Sequence, residues 1–318
     1  SFTITVNPTA QVIQPVSLVV CNSQPTTVSY GTVNAGGTTV YTWTNSLPAI
    51  GLPATGTGNI SFNAVNNGTA PIVATIVVTP TFTNAGVSCS GPAKTYTITV
   101  NPSAQVNQPT SQVVCNGDAT TAISFTTNNT VGATSYTWTN SNPAIGLLGT
   151  GTGNIASFTA TNNGTSPIVA TIIVTPSFTN AGVTCTGSSK TFTITVNPDA
   201  KSKFTADTTI GCAPFNISQH LNVVRYTNAN NEALYKWYAN GILIGTGLPV
   251  PNYSITQPGD TVIITLVAVS KYGCKDDTSS LTIYTVQRPV PSFTTSADTL
   301  CGPASILFTN TTTPINVL

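Results

Sequence analysis

The chain has 318 residues, of which 9 are basic and 8 acidic, 5% charged in all, against a usual level of about 25%. That leaves no basic surface for a phosphate backbone, no acidic tail and no polybasic membrane patch, so no nucleic-acid partner is expected. The apolar stretches are short Val/Ile runs broken by Thr, which supplies 60 residues; none approaches the ~18–20 residues of a membrane-spanning helix, and no membrane insertion is expected in this segment.

In chain order, Phe2-Thr-Ile-Thr-Val-Asn-Pro8 comes first and returns twice, as Tyr96-Thr-Ile-Thr-Val-Asn-Pro102 and Phe192-Thr-Ile-Thr-Val-Asn-Pro198. Between these segments the sequence repeats itself. Cys21, Tyr41-Thr-Trp43, Pro48-Ala-Ile-Gly51, Asn66-Asn-Gly-Thr69 and Thr83-Asn-Ala-Gly-Val-Ser-Cys89 recur as Cys115, Tyr136-Thr-Trp138, Pro143-Ala-Ile-Gly146, Asn162-Asn-Gly-Thr165 and Thr179-Asn-Ala-Gly-Val-Thr-Cys185. A third, diverged copy keeps the order Cys212, Trp237, Cys274, and Cys301 sits like Cys212 in a unit that is cut short. The division expected is 1–8 as the closing strand of a preceding repeat, 9–102 and 103–198 as full repeats, 199–288 as a diverged repeat, and 289–318 as the start of another. The chain, which has no Met even at residue 1, is thus expected to be a slice of a longer array without a signal peptide.

Each repeat reads as strands. In Ile72-Val-Ala-Thr-Ile-Val-Val-Thr79 the residues Ile72, Ala74, Ile76 and Val78 share one face, and in the closing strand Tyr96, Ile98 and Val100 alternate with Thr95, Thr97 and Thr99. Turn signals fall every 8–15 residues, and no segment holds a helical period. About seven short strands in about 95 residues predict an all-β chain of tandem β-sandwiches. Pro80 and Pro176, within or just after the long strand, predict an edge or a bulge at that end.

Seven cysteines without C-x-x-C spacing point to an oxidising compartment. Pairing Cys21 with Cys89, Cys115 with Cys185 and Cys212 with Cys274 places one structural disulfide in each full repeat and leaves Cys301 over. A metal site needs more ligands than the first two repeats own, and none is expected. Trp43, Trp138 and Trp237, each two residues after a Tyr, are expected as core anchors. The alternative is a sugar-stacking face, for which Tyr30, Tyr136, Tyr226, Tyr238 and Tyr253 would be the candidates if exposed. Ala54-Thr-Gly-Thr-Gly-Asn59 and Gly149-Thr-Gly-Thr-Gly-Asn154 lack the helix and lysine of a phosphate loop and are expected as flexible loops.

Catalysis is not expected. Up to residue 198 the only charged residues are Lys94, Asp118 and Lys190, and His220 is the only histidine; there is no paired carboxylate and no base beside a nucleophile. Asp276 and Asp277 read as a solvated turn rather than a calcium site. No cofactor is expected.

Tyr-Thr-Trp-Thr-Asn-Ser-x-Pro-Ala-Ile-Gly-Leu, Gly-Thr-Gly-Asn-Ile and Phe-Thr-Ile-Thr-Val-Asn-Pro resemble the tandem repeats of very large Bacteroidetes surface proteins. The third unit, with Tyr235-Lys-Trp237 and Tyr272-Gly-Cys274, is similar to a PKD-type domain of the same proteins, although the usual Trp-x-Phe-Gly-Asp-Gly is absent and Trp237 is followed by Tyr-Ala-Asn-Gly. Gliding-motility adhesins of the SprB kind, exported by the type IX system, are the best-known carriers. The resemblance implies Ig-like/PKD-like sandwiches in an extended rod, a location at the cell surface, and a stalk in an adhesin filament, with direct carbohydrate binding as the alternative. Neighbouring repeats, surface polysaccharide and the gliding machinery are the partners it implies. Asp207-Thr-Thr, Asp260-Thr-Val and Asp298-Thr-Leu are similar to the O-glycosylation motif of exported Bacteroidetes proteins, which marks Thr208, Thr261 and Thr299 as candidate acceptors.

Overall fold

A computed structural model describes residues 2–226 and 235–313. The first repeat forms β1 (Leu18–Cys21), β2 (Pro25–Val28), β3 (Thr38–Asn45), β4 (Thr55–Thr57), β5 (Ile60–Asn63), β6 (Ile72–Asn84), β7 (Val87–Ser90) and β8 (Lys94–Asn101). One sheet runs β1-β8-β6-β3-β4, with β7 extending β6, and β2 pairs with β5 in a second sheet. All these pairings are antiparallel except β1 with β8, which run parallel from Leu18↔Ile98 to Cys21↔Asn101. Strands 3, 6 and 8 thus take the C, F and G places of an immunoglobulin sandwich, with strands 2 and 5 as B and E.

The period-2 pattern fills the space between the sheets. Ala74, Ile76, Val78 and Phe82 from β6 and Ile98 and Val100 from β8 are fully buried, and Tyr41, Trp43 and Tyr96 join them in the core. Alternate Thr side chains face outward, where a β-branched hydroxyl residue favours the strand without needing a partner. Pro80 lies inside β6. It pairs with Tyr41 on one side, while on the other side β8 stops opposite Val78 and β7 starts opposite Thr81. The missing amide hydrogen therefore falls where the neighbouring strand changes.

The second repeat forms β9 (Gln112–Cys115), β10 (Ala133–Asn140), β11 (Thr150–Thr152), β12 (Ile168–Asn180), β13 (Val183–Thr186) and β14 (Lys190–Asn197), in the order β11-β10-β12-β14-β9 with β13 on β12. Bridges Ala119↔Thr159 and Ile123↔Ile155 stand where the first repeat has β2 and β5. The third repeat forms β15 (Phe204–Ala206), β16 (Ile210–Cys212), β17 (Phe215–Asn216), β18 (Leu221–Val223), β19 (Tyr235–Ala239), β20 (Ile242–Thr246), β21 (Ser254–Ile255), β22 (Thr261–Ala268) and β23 (Asp277–Val286). Its large sheet, β16-β23-β22-β19-β20, again closes with a parallel pair, Ile210↔Tyr284 to Cys212↔Val286. Trp237 is the largest fully buried side chain, with Phe204 packed edge-on against it at 5.3 Å. Beyond it, β24 (Phe293–Thr295) pairs with β25 (Phe308–Asn310). Among the described residues the only helical elements are three single 3-10 turns, Pro48–Ile50, Pro143–Ile145 and Ile217–Gln219.

The chain separates into two compact units. One holds Ser1–Gln112, Thr120–Phe158 and Ala170–Ile194, the other Val113–Ala119, Thr159–Val169 and Thr195–Leu318.

Two expectations are corrected at this level. The Gly-Thr-Gly segments are not flexible loops: they form the edge strands β4 and β11, paired with β3 and β10. The reason is packing, since a Cβ on Gly56 or Gly151 would lie 2.1 Å from the ring of Trp43 or Trp138. The glycines let the edge strand lie flat on the indole.

The disulfide pairing is the second correction. Cys21 joins Cys185 and Cys115 joins Cys274, while Cys89, Cys212 and Cys301 are free thiols. Cys21 sits opposite Asn101, next to the Val100↔Ile72 end of β6, whereas Cys89 is opposite Phe82. Ten strand residues, about 33 Å, separate those ends, and a disulfide needs Cα atoms within about 7 Å. Cys115 and Cys185 lie at opposite ends of their repeat in the same way, beside Asn197 and opposite Phe178. In the third repeat Cys212 lies opposite Val286, at the far end of β23 from Cys274 in the turn before Asp277. No bridge within a repeat is possible.

Candidate functional site

The places where the chain concentrates its polar side chains and cysteines are the ends of the repeats. At the first such end, the backbone amide of Asn22 donates to Asn101 O at 2.9 Å, fixing Cys21 beside the last residue of β8. Asn101 is fully buried. Its Nδ2 donates to Asn180 O (3.3 Å) and Val183 O (3.5 Å), and Asn180 Nδ2 donates back to Asn101 Oδ1 at 2.8 Å. The closing strand of one repeat thereby grips the β12–β13 hairpin of the next. Two residues past Val183, Cys185 meets Cys21 with Cα atoms 5.6 Å apart. Asn22 Nδ2 also donates to Ser103 Oγ, and Asn129 Nδ2 donates to Thr69 O and Ser103 O.

Asn66 serves the same end from inside. Its Nδ2 donates to Val100 O at 2.7 Å and to Ala70 O, its Oδ1 accepts from the amide of Gly68, and its own amide donates to Asn22 Oδ1. Asn162 repeats the arrangement with Val196, Ser166, Gly164 and Asn116. Each bonded amide replaces a water contact that burial would remove, which is why a buried Asn is tolerated here. Sequence reasoning used Asn66-Asn-Gly-Thr69 only as a marker of the repeat; the signal for more was its unchanged return at 162–165.

At the second end Cys115 and Cys274 have Cα atoms 5.4 Å apart. The first Asp of the linker, Asp199, accepts from Asn116 Nδ2 at 2.8 Å through Oδ2 and from the amide of Lys275 through Oδ1. Lys201 Nζ donates to Asn163 O at 2.7 Å. These residues border an open cleft of about 410 Å³ that also meets Tyr226, Asp276 and Asp277. Of the two adjacent carboxylates, Asp276 is exposed, as a solvated turn requires, and Asp277 is half-buried. Asp276 Oδ1 accepts from the amide of Ser270, and Asp277 Oδ2 accepts from the amide and hydroxyl of Ser202. They close the β22–β23 turn and fasten the entering linker. Among the described residues, no group of three or more His, Cys, Asp or Glu side chains is placed to hold a metal.

The aromatic candidates turn inward. Trp43 and Trp237 are buried and donate through Nε1 to Gly58 O and Gly247 O; Trp138 is buried as well, and its Nε1 finds no acceptor among the described residues. Tyr30, Tyr136, Tyr226, Tyr238 and Tyr253 are all partly buried, and none is exposed. Tyr30 packs at a tilt against Tyr41, ring centroids 5.3 Å apart, and its hydroxyl meets that of Tyr96 at 2.9 Å; Tyr136 packs on Phe125, and Tyr253 on the third core. Burial pushes the phenol pKa of Tyr30 and Tyr136 above the usual value, and that of Tyr96 furthest, where the Tyr30 hydroxyl adds to it. His220 Nδ1 lies 2.8 Å from Asp207 Oδ1 and its ring stacks on Phe215, an arrangement that ties β15 to the Ile217–Gln219 turn. Of the candidate acceptors, Thr261 and Thr299 are exposed, while the half-buried Thr208 donates its hydroxyl to Ile210 O.

No family model matches the chain, and no curated protein matches it. Among solved structures it is similar to the I9–I11 tandem of titin, at 14% identity over 88% of this chain and all of that one, with a TM-score of 0.29. Mouse cadherin-23 EC22–24 aligns at 11% identity over 88% of this chain and 99% of that one, TM-score 0.40. Mouse protocadherin-24 EC1–3 aligns at 13% over 89% of this chain and all of that one, TM-score 0.39. The immunoglobulin-like topology rests on the strand order and the parallel closure described above. The two disulfides accord with an oxidising, extracellular setting. No helix among the described residues is long and apolar enough to cross a membrane.

Proposed function

We propose that the chain is a stalk segment of an extracellular adhesin filament at the outer membrane, a rod of sandwiches that holds an attachment tip away from the cell. In this reading residues 9–102, 103–198 and 199–288 are whole domains, with 1–8 and 289–318 belonging to neighbours. Surface polysaccharide and the gliding machinery are engaged by other parts of the filament. The observation that carries the reading is that both disulfides join one repeat to the next instead of closing a repeat on itself. A binding module gains little from such bridges. A load-bearing one gains a covalent path across each joint. The five tyrosine candidates, none of them exposed, support the same reading, because a sugar platform needs an exposed ring face.

The test is a glycan array and polysaccharide pull-down with the intact chain beside a reduced, unfolded control. Absence of binding to every glycan is the expected result. Micromolar binding that disappears on unfolding would overturn the stalk reading and make these repeats the adhesive surface.

A further inference from the structure

The free thiol of Cys89 stands in a site that is already half built. Asn7 holds the β6–β7 hairpin as Asn101 holds β12–β13: Asn7 Nδ2 donates to Asn84 O (3.0 Å) and Val87 O (3.1 Å), and Asn84 Nδ2 donates to Asn7 Oδ1 (3.1 Å). Cys89 follows Val87 by two residues, as Cys185 follows Val183. The only missing part is the strand that would run beside Asn7 as β1 runs beside Asn101.

A second observation points to the same absent strand. Phe2, Ile4 and Val6 are 87%, 74% and 86% exposed, whereas their sequence equivalents Tyr96, Ile98 and Val100 are 3%, 0% and 0% exposed. Three alternate apolar side chains in water are a face prepared for a sandwich, and the equivalents define what covers it: the sheet of a repeat whose closing strand this segment is.

We propose that Phe2–Pro8 closes a repeat of the same kind and that Cys89 forms a disulfide with the cysteine ending that repeat's first strand, in register with Asn7. By the same stagger Cys212 takes the hairpin cysteine of a repeat that follows. Its own neighbour is placed for this, since the amide of Ala213 donates to Val286 O just as Asn22 donates to Asn101 O and Asn116 to Asn197 O. The chemistry is thiol–disulfide exchange. The Cys89 thiolate attacks an oxidised low-molecular-weight thiol, one thiol leaves, and the partner thiolate displaces the second to form the bridge; two protein thiols are oxidised while one small disulfide is reduced to two thiols. The inference is independent of the stalk role, which could fail while the register holds.

The test joins residues 9–94 of this sequence, with Cys89→Ser in that added copy, directly ahead of Ser1 and refolds the chain in oxidised and reduced glutathione. Native alkylation and non-reducing peptide mapping then follow each cysteine. In the parent chain Cys89 takes the label. In the extended chain that label is lost and the Cys89 peptide is linked to the added copy's first cysteine, with Cys21–Cys185 and Cys115–Cys274 unchanged. A folded extended chain in which Cys89 still reacts would overturn the proposal. A second variant needs no extension: in Cys185→Ser, the register predicts that Cys21 and Cys89 both take the label, and a Cys21–Cys89 bridge would sink it.

Discussion

At the scale of single residues, the two full repeats carry an internal comparison. Where the first has the hydroxyl pair Tyr30 and Tyr96, the second has Phe125 and Phe192 with rings 6.3 Å apart; both partners change together. A buried hydroxyl that loses its only partner costs about 1–3 kcal/mol, whereas removing both is nearly neutral. Tyr96→Phe alone is therefore expected to lower stability by about 1 kcal/mol and Tyr30→Phe/Tyr96→Phe to restore most of it, as read from urea midpoints. The pair also sets an alkaline limit. A phenol whose pKa is raised by burial holds its proton more tightly folded than unfolded. Its contribution is whole below the unfolded value of about 10 and is lost as pH rises towards the folded one. Stability is expected to stay level from neutral pH to about pH 10 and then fall, less steeply in the double variant; equal slopes in melts above pH 10 would refute this.

Elements show where the sequence speaks and where it is silent. The period-2 runs announced β6 and β8 because burial writes itself into alternation. The Gly-Thr-Gly segments did not announce β4 and β11, because a strand whose glycine packs under an indole leaves no alternating signature of its own. Gly56→Ala is expected to destabilise by about 1–3 kcal/mol, since the new Cβ has to displace the Trp43 ring or lift the edge strand; unchanged melting would contradict that packing. The β6–β7 and β12–β13 hairpins offer the opposite sign. Ala85 and Ala181 both sit at φ 48° ahead of a glycine in two-residue turns, the place where Asn240 precedes Gly241 in the third repeat. Asn tolerates that conformation far better than Ala. Ala85→Asn is expected to raise stability by about 0.5–1 kcal/mol, measured by the same melts. At the repeat ends the cysteines were legible as disulfide formers but their partners were not. A tandem repeat makes a cysteine of the next copy look like one of the same copy, and only strand register tells which end each occupies.

At the scale of the whole molecule the bridges change what unfolding means. Cys21–Cys185 and Cys115–Cys274 enclose 164 and 159 residues of sequence separation, and closing a loop of that size is worth about 5 kcal/mol in the chain-entropy model. The two loops overlap, so their effects do not add. Reduction is expected to lower the urea midpoint and to split one cooperative transition into several, because repeats tied at their ends lose the tie; a transition unmoved by reductant would show that the amide clasps suffice alone. The overlap has a further consequence for damage. If each repeat were bridged only to itself, a single cut in a linker would part the chain. With the two loops interleaved, a protease that cuts any one peptide bond between Cys21 and Cys274 leaves both pieces on the same covalent molecule, since at least one bridge always spans the break. The joints are redundant in the sense of a double-stitched seam, and it takes a second cut or a reductant to open one.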